Sequence, residues 1–360
     1  MINGKTLMPF SELLEDATKQ GTKLQTANYL REGKYPIVDQ GQEQIAGYTD
    51  ETIGAFDRVP CIVFGDHTRI IKYLEQPFFL GADGVKVLCP KSGSDNEKYL
   101  YYALQAVNIP DTGYNRHFKW LKESSIVVYS REQQDRIVDA LDKVNNLIFL
   151  RKMQLQKLDD LIKARFVEMF GDPILNQKGF PRYTVDDVIE FQGGSQPDKK
   201  HFEYKQTVDN IRLIQIRDYK SDRFLTFIPK SMAKRFCTAE DIMIGRYGPP
   251  IFQILQGIEG TFNVALMKAT PKMGNREFIR YFLKQDCLLE YLEGLSKRTA
   301  GQDGVQMDKL KAYPFPYPPI ELQERFATFI ERVDKSKKPV QQGLDKLEQM
   351  KHALMQKYFG

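Results

Sequence analysis

Ten positions between residues 137 and 169 fall in alternating steps of three and four: Ile137, Leu141, Val144, Ile148, Arg151, Leu155, Leu158, Ile162, Arg165 and Met169. That spacing lays a seam along one face of a helix. The predicted helix runs from about Arg131 to Met169 and is ~58 Å long at the usual rise per residue. A second seam keeps the same phase 189 residues later, at Phe326, Ile330, Val333, Lys337, Val340, Leu344, Leu347, Lys351, Leu354 and Tyr358. Each seam holds two basic residues, whose stems can snorkel past apolar neighbours. Pro339 lacks an N–H and crowds the preceding turn, so the second helix is expected to be kinked or interrupted there. Two such seams in one chain most simply satisfy each other as an antiparallel pair. The alternative is that each helix packs separately on a neighbouring domain.

The shift of 189 is visible in the residues themselves. QQDRIVDALDKV (Gln133 to Val144) aligns with LQERFATFIERV (Leu322 to Val333), LQKLDDL with LDKLEQM, and Phe170-Gly171 with Phe359-Gly360. Upstream of each helix lie short β-type runs. YPIVD, CIVFG and VKVLC in the first half correspond to IRLIQI, DIMIG and FNVALM in the second. Helical stretches follow near 97–106 and 276–293. The expected fold is α+β (mixed α/β): two related domains separated by two long antiparallel coiled-coil spacer helices, with a pseudo-two-fold internal repeat. The expected limits are 1–130, 131–175 for the central helix, 176–318, and 319–360 for the C-terminal helix. NQKGFPRY (Asn176 to Tyr183) reads as the linker.

Hydrophobic residues make up 42% and charged residues 28% of the 360, the balance of a folded, soluble protein. No signal peptide or membrane span is apparent, so a cytoplasmic protein is expected, with no membrane partner. The four cysteines, at 61, 89, 237 and 287, have neither metal nor disulfide-scaffold spacing. Lys and Arg against Asp and Glu number 14 and 16 over residues 1–130 but 22 and 17 over 178–318. A mild basic bias permits nucleic acid without requiring it. His67, His117, His201 and His352 show no metal spacing, and the Gly-rich stretches lack a phosphate-loop signature. YGPPIF (Tyr247 to Phe252) only faintly echoes a methyl-transfer loop. No metal, cofactor or catalytic constellation is expected on this chain; it reads as a non-enzyme.

The stretch Gln133 to Pro173, with YPPIELQER (Tyr317 to Arg325), FGDHTR (Phe64 to Arg69) and AEDIMIGRYG (Ala239 to Gly248), resembles the specificity subunit of type I DNA restriction-modification enzymes. The resemblance covers almost the whole chain, which is short for the family. It implies two target-recognition domains, each reading half of a bipartite, asymmetric site in double-stranded DNA, and no catalysis by this chain. Two methyltransferase (modification) subunits carrying S-adenosylmethionine would methylate adenine N6, and restriction/translocase subunits using ATP and Mg would join them. A related type II restriction-modification system would show the same pattern. An architectural coiled-coil adaptor that binds protein and never DNA stays open as the competing class.

Base reading favours Arg, Asn and Gln, while Lys and Arg elsewhere hold phosphates. Candidate DNA contacts are His67, Arg69, Lys72, Asn115, Arg116 and His117 in the first domain. In the second they are Arg246, Tyr247, Lys297, Arg298 and Gln302. His67 could equally hold its turn by bonding backbone. Leu147, Leu150, Leu161 and Phe166 lie off the seam and are candidate contacts for partner subunits.

Overall fold

In the computed structural model, residues 5–81, 83–113, 115–247, 251–296 and 304–360 are described. They form two compact units, 1–153 with 340–360, and 154–339. Each long helix therefore gives one half to each unit.

The first unit is organised around CIVFG, a strand at Cys61–Gly65 that is buried on both faces. Alternate side chains point to opposite sides of a sheet, and here they feed two cores. Ile62 and Phe64 pack with Tyr99, Leu100 and Phe118 on the helical side. Cys61 and Val63 pack with Val38, Phe78 and Leu80 on the other. The sheet runs Leu14–Asp16, Val85–Pro90, Cys61–Gly65, Ile71–Leu74, antiparallel throughout. Beneath it lies a second sheet, Gly47–Thr49, Tyr35–Val38 and Phe79–Leu80, whose last pair is parallel. A short ribbon, Thr6–Pro9 with Ser125–Val128, leads the chain into the long helix.

The second unit repeats this plan. Its main sheet, Ile189–Gly193, Leu266–Pro271, Ile242–Gly245, Gln253–Gln256, has the same order. Ile242 and Ile244 face one core and Met243 the other. The small sheet again contains a parallel pair, Asn210–Ile214 with Gly260–Phe262, and gains an edge strand at Phe236–Cys237. Arg182–Thr184 pairs with Pro314–Pro316 as the lead-in ribbon. One departure concerns the helix expected near 276–293, which is two helices, Arg276–Leu283 and Asp286–Ser296. The buried stripe Phe278, Ile279, Phe282, Leu283 resumes only at Leu288, a step too long for one 3.6-residue period.

The junction between each globular part and its long helix is built alike. Asn96 caps the helix Glu97–Gln105 through its side chain, and Asn275 does the same for Arg276–Leu283. The Asn96 N–H donates to Oε1 of Gln134 at 2.8 Å, and the Asn275 N–H to Oε1 of Gln323 at 2.8 Å. Each glutamine then donates Nε2 to a carbonyl just before its helix, Tyr129 at 2.9 Å and Pro318 at 2.8 Å. Both glutamines are buried and 189 residues apart. Such a side chain is retained because it closes two backbone groups that burial would otherwise leave unpaired.

The long helices span Arg131–Phe170 and Ile320–Phe359. Gly171, at φ +74°, closes the first one. Within the first unit, Lys152 pairs with Glu348 at 3.0 Å and the Tyr129 hydroxyl donates to the Tyr358 carbonyl at 2.9 Å. Within the second, Lys337 bridges to Asp159, and Phe166 meets Phe326 with ring centroids 5.5 Å apart. Numbers fall on one helix as they rise on the other, so the pairing is antiparallel. Along the seam Ile137, Leu141, Val144, Ile162, Phe326, Ile330, Val333, Val340 and Leu344 are buried. Ile148, Leu155, Leu158, Leu347 and Leu354 are half-buried. The helix is not interrupted at Pro339. A proline there costs about 3 kcal/mol, and burial of Val333, Val340 and Leu344 around it offsets ~1.5–3 kcal/mol each.

Candidate nucleic-acid interface

In the first unit the strand Cys61–Gly65 ends in the FGDHTR hairpin, which gathers several candidate residues around the segment 109–118. Asp66 is buried; its carboxylate accepts the Phe118 N–H at 2.8 Å and its carbonyl accepts the His117 N–H at 2.7 Å. His117 is buried too, with Nδ1 3.1 Å from that same carbonyl and Nε2 3.3 Å from the Thr112 hydroxyl. His67 is half-buried; its Nδ1 lies 3.2 Å from the Asn115 carbonyl and its N–H donates to Gln40 at 3.1 Å. Arg69 sits at φ +60° and reaches the Ile109 carbonyl at 3.3 Å and Asp111 at 2.9 Å. The hairpin thus works as a latch on the loop that follows it.

These contacts correct part of the sequence reading. His117 is a structural member of the latch, because both ring nitrogens meet internal partners. Lys72 is only 3% exposed; its ammonium donates to the Glu43 carbonyl and lies 3.5 Å from Asp39. Its strand alternates half-buried and buried, and Lys72 falls on the inner side with Leu74. Burial holds its pKa below the usual lysine value, with Asp39 opposing. Asn115 and Arg116 remain exposed. Arg116 lines a groove of about 610 Å³ with Lys86, Lys119, Lys122, Phe118, Asp66 and Glu123. The three lysines were missed in the sequence. The signal for Lys119 and Lys122 was RHFKWLK, where cations recur every third residue among aromatics; Lys86 lies in the strand VKVLC.

The second unit makes the same corner with different chemistry. The strand Ile242–Gly245 runs into Arg246, whose carbonyl accepts the Val305 N–H at 3.2 Å, as Asp66 accepts His117. Where the first unit has a carboxylate capping a helix, Arg246 has no ion pair among the described residues and its Nε is buried without an acceptor. Its guanidinium lies 5.3 Å from the Tyr247 ring centre. Tyr247 is 47% exposed and bridges to Gly304, where a Cβ would approach its ring to 2.9 Å. A stacked, unpaired arginine of this kind can donate a planar fork to a base edge or a phosphate. Lys297, Arg298 and Gln302 lie outside the described residues.

Off the seam, Leu147, Leu150 and Leu161 are about half exposed. In the first unit Leu147 and Leu150 continue into an apolar strip with Phe149, 59% exposed, and Met153. Phe166, expected there as a partner contact, is instead core. It is 1% exposed and packs on Phe170, Phe278 and Phe326 at 4.9, 5.8 and 5.5 Å. Among the described residues no group of three His, Cys, Asp or Glu side chains could hold a metal. No helix among them is long and apolar enough to cross a membrane. Burial pushes the Cys237 thiol up to about 11 and raises Cys61 and Cys89 as well, so these are protonated packing groups and not nucleophiles.

Residues 177–349 match the family model described as the type I restriction modification DNA specificity domain. Over 351 residues the chain is 22% identical to the EcoR124I/EcoR124II specificity subunit of Escherichia coli, covering 86% of this chain and 81% of that one. The chain is thus similar to type I restriction-modification specificity subunits, by the family model over 177–349 and by the curated relative over most of its length. The fold agrees. The S subunit of a type I system from M. genitalium superposes with a TM-score of 0.58 at 17% identity, covering 100% of this chain and 97% of that one. A chain from a structure addressing complex assembly and conformational transition of a type I system gives 0.51 at 15% identity, covering 99% and 98%.

Proposed function

We propose that the two globular parts, residues 1–130 and 176–318, each read one half of a split, asymmetric DNA target. The long helices, 131–175 and 319–360, set the length of unread DNA between the halves. The observation that carries this reading is a repeated scaffold whose strand-end corners differ: Asp66 and His67 in one part, Arg246 and Tyr247 in the other. Two related scaffolds with different side chains at the same corner suit two different half-sites. Two modification subunits would bring S-adenosylmethionine and methylate adenine N6 within the bound target. Restriction subunits would add ATP- and Mg-dependent translocation and cleavage. The strip Leu147, Phe149, Leu150 and Met153, with Leu161, offers those partners apolar surface. The complex would work in the cytoplasm, where the chromosome lies.

The test is an exchange of residues 178–318 for the corresponding part of a family member with a different target, followed by mapping of methylated adenines in the cell. One half of the target should change while the other half and the spacer stay. A change in both halves together would overturn the reading.

A further inference from the structure

The first unit presents DNA with a paradox of charge: residues 1–130 carry 14 basic against 16 acidic side chains, so on average they repel a polyanion. We propose that the groove walled by Lys86, Arg116, Lys119 and Lys122 is the surface that grips the DNA phosphate backbone for this part of the molecule. The inference rests on the first part facing one half of the target, and adds how it is held there.

Four cations line this groove against two acids. One of the acids, Asp66, is buried and already spends an oxygen on the Phe118 N–H. Arg116, Lys119 and Lys122 are exposed and have no ion pair among the described residues, and Lys86 alone has one, with Asp16 at 3.6 Å. Like charges that outnumber their counter-charges repel each other, and a phosphate chain relieves that repulsion by releasing its own counterions. The cations are also held in place. Lys86 and Lys122 lie 5.2 and 5.6 Å from the centre of the Phe118 ring, and Lys119 lies 4.7 Å from that of Trp120. Aromatic faces restrain the ammonium groups while leaving their protons free to donate. The groove adjoins the FGDHTR latch, so it is fixed relative to Asn115, an exposed polar group that could reach a base edge. Phosphate contacts of this kind position a reader without carrying sequence information.

The test uses the full chain assembled with its modification subunits, comparing the parent with Lys119→Gln plus Lys122→Gln. Binding of a labelled duplex of arbitrary sequence is followed by anisotropy across a salt series. Both lysines are exposed, so the fold should hold, and an unchanged thermal melt checks that it does. Loss of two phosphate contacts should reduce the slope of log affinity against log salt by about 2. The affinity should fall alike on the arbitrary duplex and on the methylated target. Lys119→Arg plus Lys122→Arg should restore it, and the methylated sequence should stay the same in every variant. A salt slope and affinity equal to those of the parent would overturn the proposal. A reduced slope together with a domain exchange that altered both half-sites would leave the groove standing and remove only the half-site reading.

Discussion

The two units agree where they meet the long helices and differ where they face outward. At the junction, Gln134 and Gln323 make the same pair of bonds to an asparagine N–H and a carbonyl, within 0.1 Å. At the corner, the same strand-end carbonyl accepts from the same loop, yet the side chain is a buried, capping Asp66 in one unit and, in the other, an Arg246 with no ion pair among the described residues. A duplicated scaffold keeps what its own backbone needs and varies what meets a ligand. The first unit spends its corner on internal order and shows its cations in a neighbouring groove. The second places at its corner an arginine without an ion pair among the described residues.

If that division is right, substituting groups bonded within the fold costs stability, and substituting the corner arginine costs recognition. The largest effect should come from Phe166→Ala, which empties a site among Phe170, Phe278 and Phe326 and should lose about 3–5 kcal/mol in chemical denaturation. Leu161→Ala, exposed on the same helix, should change stability by less than ~0.5 kcal/mol. Gln134→Leu and Gln323→Leu each strand a buried N–H and a carbonyl and should each lose about 2 kcal/mol or more. Tolerance of one and not the other would break the claim of a shared lock. Arg246→Ala should leave the melting temperature nearly unchanged but weaken target binding by about 1–3 kcal/mol, relaxing sequence preference in one half of the site only. Asp66→Ala should show the reverse, about 1 kcal/mol of stability lost through the missing helix cap. A specificity change from Asp66→Ala without destabilisation would undo the contrast between the corners.

The helical part of this molecule was open to sequence reading because a seam of period 3.5 was written twice in one register. The strands were readable where they are short apolar runs such as CIVFG and DIMIG. Side-chain fates were harder. Lys72 lies in IKYL, and only the pairing of that strand shows which of its two faces is inward. Phe166 sits four residues from both Ile162 and Phe170 and off the expected seam, yet the domain packed on the helix widens the buried stripe to include it. His117 and Arg69 carry the chemistry of base readers, but partners 40 to 51 positions away use it internally. The groove lysines were hidden for another reason: Lys86 is far in sequence from Lys119 and Lys122, and net charge over the segment averaged all three away.

The most direct test of the whole account is a genome-wide map of methylated adenines in cells carrying this chain with its modification subunits. The account predicts one split target with two different halves separated by a spacer of fixed length. A continuous or palindromic target, or methylation indifferent to the presence of this chain, would contradict it.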